Sequence, residues 1–243
     1  MRNFICTFSD IVLEGVIMKL SIIMPVYNEE KTIRNIIERV FSTGFDVDYE
    51  LIIVNDCSTD GTKEILDGIN DERVRIIHHT QNMGKGAAIR TGVEHSSGDL
   101  VIIQDADLEY SPEDINRLIQ KINEGYDAVF GSRFFYGRPG DESLIHYYGN
   151  RFLTFISNVF SGLKLTDMET CYKLIRREMF DSIRLEENRF GFEPEITAKL
   201  ARVKAKVAEV PIKYKARGFS EGKKIGLKDA FRTIYCIIKY NLF

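Results

Sequence analysis

Asp105-Ala106-Asp107-Leu108-Glu109 places three carboxylates directly after the apolar run Leu100-Val-Ile-Ile103. Like charges at such spacing repel one another. A divalent cation relieves the repulsion. Oxygen donors suit Mg2+ or Mn2+, and few protein ligands suffice when substrate phosphates complete the shell. Asp105 and Asp107 are therefore the candidate metal ligands. An EF-hand is excluded, because Tyr110 stands where its glycine belongs and Asn116 where its bidentate glutamate belongs. The competing reading is a turn whose aspartates cap backbone amides.

Further polar groups follow other apolar runs. Tyr27-Asn28-Glu29 trails Leu20–Val26, and Asn55-Asp56 trails Glu50–Val54. A carboxylate at Glu29 or Asp56 can accept a hydrogen bond from a base N–H or a ribose hydroxyl. The stretch Asp56–Gly61 also fits an Asx turn followed by a helix cap. Asn82-Met-Gly84-Lys85-Gly86 resembles a phosphate-cradling loop that opens a helix, although neither it nor Gly218–Lys224 has the Walker A spacing. Arg133 ends a strand, and Arg217, Lys223 and Lys224 share a late basic segment. Guanidinium and ammonium groups are the natural partners of phosphate oxygens. The four histidines show no partners at metal or catalytic spacing. The four scattered cysteines read as reduced thiols of a cytosolic chain.

Short apolar strands alternating with helical spacing must position these groups. Strands are expected at 20–26, 50–54, 74–77, 100–103 and 128–130. Helices are expected at 29–41, 60–69 and 84–95, and another should open at Ser111-Pro112 with Ser111 as its cap. This pattern implies an α/β fold with a mostly parallel sheet covered by helices on both faces. Ligands then bind at the carboxyl ends of the strands, where the polar groups cluster. Later segments read as a helix at 144–163, a return to the sheet at 171–175, a helix at 192–203, a strand at 206–215 and a closing helix at 229–243.

The 243 residues carry a net charge of −3, which excludes a whole-chain nucleic-acid footprint. The charge is uneven. Residues 199–228 hold ten basic and two acidic side chains, a block suited to phosphate or an anionic membrane surface. No run reaches the roughly 18–20 apolar residues needed to span a bilayer. Residues 1–17 read as an N-terminal extension, dispensable for folding and activity, with a natural start at Met18. Residues 18–243 read as one domain. Its two halves are expected at 18–133, with the polar strand ends, and at 134–243, with an amphipathic C-terminal helix.

Together these segments resemble the family-2 glycosyltransferases of GT-A fold, over nearly the whole chain from residue 18. The resemblance is carried by SIIMPVYNEE (21–30), VNDCSTDGT (54–62), NMGKGAAIRTG (82–92), QDADLEYSPEDI (104–115) and GSRF (131–134). TDMETCYKLIRREMF (166–180), FGFEPEITAKL (190–200), EVPIKY (209–214) and ARGFSEGKKIGLKDA (216–230) resemble the dolichol-phosphate-mannose-synthase branch. That branch implies transfer of a hexose from GDP-mannose or a UDP-hexose to a polyprenyl phosphate, with Mg2+ or Mn2+. It implies nucleotide-sugar contacts at Pro25, Tyr27, Glu29, Asp56, Lys85, Asp105 and Ala106, and places Asp107 before Asp105 as direct metal ligand. Glu109 occupies a second ligand position, where the mannose synthases usually carry glutamine. Arg133 and Arg217 would meet the donor and acceptor phosphates, with Arg151 and Lys224 as further acceptor candidates.

A phosphate oxygen is already anionic, so its attack needs no general base, and direct displacement inverts the anomeric centre. The apolar faces of 144–163 and 229–243, with the basic block, imply peripheral contact with the cytosolic face of a membrane. A glycan-hydroxyl acceptor is the alternative, and it would need Glu193 or Glu195 as base. Those glutamates also fit a helix N-terminus. A sugar nucleotidyltransferase would want a glycine-rich loop at 25–29. A non-catalytic nucleotide-binding membrane adaptor would gain nothing from the charged groups.

Overall fold

The computed structural model describes residues 18–139, 143–215 and 227–243. The extension 1–17 and the candidates Arg217 and Lys224 lie outside them. So does the rest of the basic segment 216–226.

Among the described residues seven strands form one sheet: β1 (Lys19–Val26), β2 (Asp48–Asn55), β3 (Val74–His78), β4 (Leu100–Ile103), β5 (Ala128–Ser132), β6 (Lys173–Arg176) and β7 (Val207–Pro211). Their order is β3-β2-β1-β4-β6-β5-β7. Every pairing is parallel except those of β6, which runs antiparallel between β4 and β5. The fold is therefore α/β with a mostly parallel sheet, as the alternation predicts. Leu20, Ile22, Ile23, Leu51, Ile53, Leu100 and Ile102 are fully buried. Side chains of this kind each stabilise the sheet by roughly 2 kcal/mol relative to exposure.

Helices α1 (Ile33–Ser42), α2 (Thr62–Asp67), α3 (Lys85–Glu94), α4 (Ile115–Asn123), α5 (Leu144–Ser161), α6 (Arg177–Asp181), α7 (Phe192–Arg202) and α8 (Leu227–Leu242) connect and cover the strands. α1 buries Ile33, Ile36, Ile37 and Val40, the predicted apolar stripe. It starts four residues later than its periodicity suggests, because the Glu29 carbonyl accepts the amides of Thr32 and Ile33 and closes a turn. That turn leaves Glu29 at the strand end. Ser111 does not cap a helix amide. Its hydroxyl bonds Glu113 at 2.7 Å, and Pro112–Asp114 forms a 3-10 turn before α4. β7 ends at Pro211, which has no N–H to continue the ladder. α5 ends at Gly162, whose φ of +72° a side chain would resist.

From β1 the chain adds β2 and β3 on one side, then returns to place β4 on the other. The crevice between the ends of β1 and β4 is thus the switch point of the sheet.

Candidate active site

At that switch point the loops after β1, β2 and β4 converge. Each contains a non-glycine residue in the left-handed region: Asn28 (φ 56°), Cys57 (φ 58°) and Leu108 (φ 64°). Such backbone is costly and persists only where neighbours hold it. Here the neighbours are visible. The Asn28 side-chain oxygen accepts the Thr59 amide at 2.8 Å, and its own amide donates to Ser58 Oγ. The Glu29 amide donates to Thr62 Oγ1 at 2.9 Å, and Glu30 accepts the Gly61 amide. The first two loops are therefore stitched into one rim.

A cleft of about 340 Å3 opens beside this rim. Pro25, Tyr27 and Glu29 reach it from β1, Asp56 from β2 and Lys85 from α3. Asp105, Ala106, Asp107 and Glu109 complete the wall after β4. All nine of these candidates thus share one cleft. Arg133 and Arg151 are not among its lining residues.

Asp56 has a definite structural task there. Its side chain is almost fully buried, and its two oxygens accept the amides of Met83 (2.8 Å) and Gly84 (2.7 Å). Gly84 stands at φ +96°, and a Cβ there would collide with the Asn188 carbonyl. This explains the glycine in the Asn82–Gly86 loop. The Asp56 carboxylate also meets His79 Nδ1 at 2.8 Å, and His79 Nε2 meets Thr91 Oγ1 at 3.0 Å. The sequence pattern assigned His79 no partner, since Asp56 lies 23 residues away.

Lys85 opens α3 and points at the carboxylates. Its ammonium lies 2.9 and 3.1 Å from the two Asp105 oxygens and 3.3 Å from Glu193 Oε1. Burial alone would lower this lysine's pKa, but Asp105 and Glu193 hold it well above the usual lysine range. Asp105 therefore faces a lysine. Asp107 and Glu109 lie on the turn made by Leu108, where the Glu109 amide donates to Asp107 Oδ1 at 3.2 Å. The Tyr214 hydroxyl donates to Glu109 Oε2 at 2.8 Å.

Among the described residues no group of three or more His, Cys, Asp or Glu is arranged to hold a metal alone. Two all-oxygen ligands on one turn fit the incomplete set that Mg2+ or Mn2+ accepts when substrate phosphates supply the remainder. The residues present therefore fit such a cation, with Asp107 and Glu109 as the pair able to hold it.

Arg133 directly follows β5 but is gripped by Asp167. Its Nε and Nη2 lie 2.7 and 2.8 Å from the two carboxylate oxygens, a bidentate pair. Glu209 in turn accepts the amides of Thr166 and Asp167 at 2.7 and 3.0 Å. Burial raises the Glu209 pKa above the usual carboxylate range. Arg151, on α5, donates to the Thr166 carbonyl at 2.8 Å and so abuts the same turn.

Behind the cleft lies a buried charged layer. Glu193 Oε2 and Glu169 Oε1 are buried and have no hydrogen-bond partner among the described residues. Burial, then the nearby Glu193, pushes the Glu169 carboxyl up to about 8. Lys173 is fully buried on β6, with its ammonium on the Thr170 carbonyl and 5.0 Å from the Phe130 ring centre. Burial lowers its pKa. Glu195 behaves differently. Its oxygens accept the amides of Glu186 and Glu187 and meet Lys199 at 2.7 Å. Arg189 and Phe190, just before α7, also line the cleft. They were not among the predicted site residues, and the only signal was that Phe190 opens the FGFEPE segment and Arg189 adjoins it.

The wider comparisons agree with this geometry. Residues 21–184 match the profile of Glycosyl transferase family 2. The chain is 30% identical over 234 residues to a dolichol-phosphate mannosyltransferase of Pyrococcus furiosus, covering 92% of this chain and 65% of that protein. It is also 30% identical to an undecaprenyl-phosphate 4-deoxy-4-formamido-L-arabinose transferase of Proteus mirabilis, covering 87% and 64%. The chain thus spans a little under two thirds of the length of these relatives. Glucosyl-3-phosphoglycerate synthase of Mycobacterium tuberculosis, solved with UDP, superposes with a TM-score of 0.71 at 21% identity, over 92% of this chain and 80% of that one. The same enzyme has been solved with Mn2+, UDP and phosphoglyceric acid, and with Mg2+ and UDP. The sheet order, the carboxylate turn at its switch point and the profile match lead to one assignment: this chain belongs to glycosyl transferase family 2 and has the GT-A fold.

Proposed function

We propose that the chain is an inverting, metal-dependent transferase that moves a hexose from a nucleotide diphosphate sugar to a polyprenyl phosphate. The nucleotide would lie against Pro25, Tyr27, Glu29 and the loop that Asp56 holds. Lys85 neutralises Asp105 beside the diphosphate. Bound to Asp107 and Glu109, Mg2+ or Mn2+ would supply Lewis-acid stabilisation of the departing diphosphate. An acceptor phosphate oxygen forms the new bond to the anomeric carbon as the bond to the diphosphate breaks, and the electron pair leaves with the nucleotide. Arg133, oriented by Asp167, would stabilise charge at the phosphates. Arg151, Arg217 and Lys224 are proposed on the acceptor side.

The observation that carries the lipid acceptor is the exposed face of two adjacent helices. On α5, Ile145, Tyr148, Phe152, Phe155 and Val159 are exposed at three- and four-residue spacing, Ile145 by 83%. On α8, which packs against α5, Phe231, Tyr235, Ile238 and Leu242 repeat the pattern. No helix among the described residues is long and apolar enough to cross a membrane. Apolar stripes on two helices in contact suit the surface of a bilayer, which is where a polyprenyl phosphate presents its headgroup. The names of the Pyrococcus and Proteus relatives point to the same acceptor class.

A hydroxyl acceptor keeps one supporting observation, the unpartnered Glu193 Oε2 near Lys85, since a base must have a free acceptor atom. Glu195 offers no such atom, being committed to two amides and Lys199. The deciding experiment gives the purified protein GDP-mannose, UDP-glucose or UDP-GlcNAc. Each donor is paired with a short polyprenyl phosphate or a glycan acceptor, in Mg2+ or Mn2+. Sugar on the lipid phosphate supports the proposal. Sugar on the glycan hydroxyl alone overturns it.

A further inference from the structure

We infer that Tyr214 is a positioning residue for the cation site, acting through Glu109. This rests on the reading of Asp107 and Glu109 as the cation's protein ligands.

Glu109 reaches the cleft on a side chain with three rotatable bonds, and ordering such a chain on ligation costs entropy. The Tyr214 hydroxyl imposes that order beforehand through its 2.8 Å bond to Glu109 Oε2. The donor is itself rigid. Tyr214 bridges Tyr110 through the backbone, and the Lys215 amide donates to the Glu109 carbonyl at 3.0 Å. One residue earlier, the Lys213 amide donates to Asp114 Oδ2 at 2.6 Å. The Tyr214 ring meets Tyr110 edge-on at 5.3 Å, and the Arg133 guanidinium lies 5.2 Å from its centre. The hydroxyl is thus held from three sides, with Arg133 on the ring that orients Glu109. A phenol is a strong directional donor to a carboxylate. Loss of such an outer partner typically weakens metal binding by about 10–100-fold.

Tyr214→Phe keeps the ring, its contact with Tyr110 and the Arg133 stack while deleting only the donor. The test is Mn2+ titration of the purified protein with UDP and no acceptor, with free Mn2+ read by electron paramagnetic resonance. Wild type, Tyr214→Phe, Glu109→Gln and the double variant are compared, with thermal unfolding as the check on folding. Tyr214→Phe should weaken Mn2+ binding by about tenfold. The double variant should bind no more weakly than Glu109→Gln alone, because the hydroxyl acts only through that carboxylate. Wild-type affinity in Tyr214→Phe overturns the inference, as does a full tenfold loss persisting in the Glu109→Gln background. Unchanged affinity in Glu109→Gln overturns it together with the ligand reading of Glu109. No acceptor is present, so none of these outcomes bears on whether the sugar goes to a lipid.

Discussion

The Lys85 ammonium sits 2.9 Å from Asp105 Oδ1 and 3.3 Å from Glu193 Oε1, joining the first carboxylate after β4 to the start of α7. This pair divides the acidic turn. Asp105 is matched by a protein cation, while Asp107 and Glu109 flank Leu108 and line the cleft. Lys85→Met would leave two largely buried carboxylates facing each other. Breaking a buried pair from one side costs more than the pair contributes. The variant should lose about 3–5 kcal/mol in urea unfolding, together with most transfer activity. Adding Glu193→Gln should recover part of the stability by removing one uncompensated charge. No recovery would mean that Lys85 is held by contacts other than its charge.

Asp107→Ala tests the other half of the turn. Asp107 is only partly buried, so the fold should survive, with a small drop in melting temperature from the lost bond to the Glu109 amide. Transfer should fall by about a thousandfold or more, as expected when a cation loses a direct ligand at the leaving group. Full activity in this variant without divalent metal would contradict the metal-dependent mechanism.

The strands and their mostly parallel sheet were legible because their causes are local. Runs such as Leu20–Val26 and Glu50–Val54 are apolar without alternation, which only a doubly covered strand tolerates. The candidates on the rim followed, since polar residues after buried strands have one place to go. Partnerships across the sheet were not legible. Asp167 grips Arg133 from 34 positions away, His79 reaches back 23 positions to Asp56, and Tyr214 crosses 105 positions to Glu109. No local period records such pairings. The direction of β6 was hidden for a related reason. It is set by pairing Arg176 with Leu100 and Ile175 with Ala128, residues far apart in the chain.

The raised pKa of Glu169 makes stability depend on pH in a stated direction. Burial, then Glu193, lifts it to about 8, whereas Lys173 and Arg133 pull it down and Asp167 adds to the rise. An unfolded glutamate releases its proton near 4.3. Between these values the folded state holds the proton more tightly, so this group's stabilising contribution is complete below about pH 4 and is lost as pH rises towards 8. Denaturant midpoints measured from pH 5 to pH 9 should therefore decline for the wild type. Glu169→Gln, which stays neutral throughout, should flatten that decline and exceed the wild type at pH 8.5. Parallel pH profiles for the two proteins would show that Glu169 ionises normally.

The apolar stripes of α5 and α8 offer a test that separates membrane contact from chemistry. Ile145 and Phe155 are exposed on α5 and contribute little to the core, whereas Leu153, Thr154 and Ser157 face inward. Replacing both exposed residues with glutamate places charge where an acyl boundary would lie, at an expected cost of roughly 2 kcal/mol or more in binding energy. Sedimentation with vesicles containing anionic lipid should show at least tenfold weaker association than the wild type. The cleft lies on the strand ends and shares no residue with the stripe, so UDP or GDP affinity should be unchanged. Activity towards a short, water-soluble polyprenyl phosphate should persist, while activity towards a long-chain acceptor in vesicles falls. If the double variant still sediments with vesicles as the wild type does, the two helices are not the membrane-facing surface.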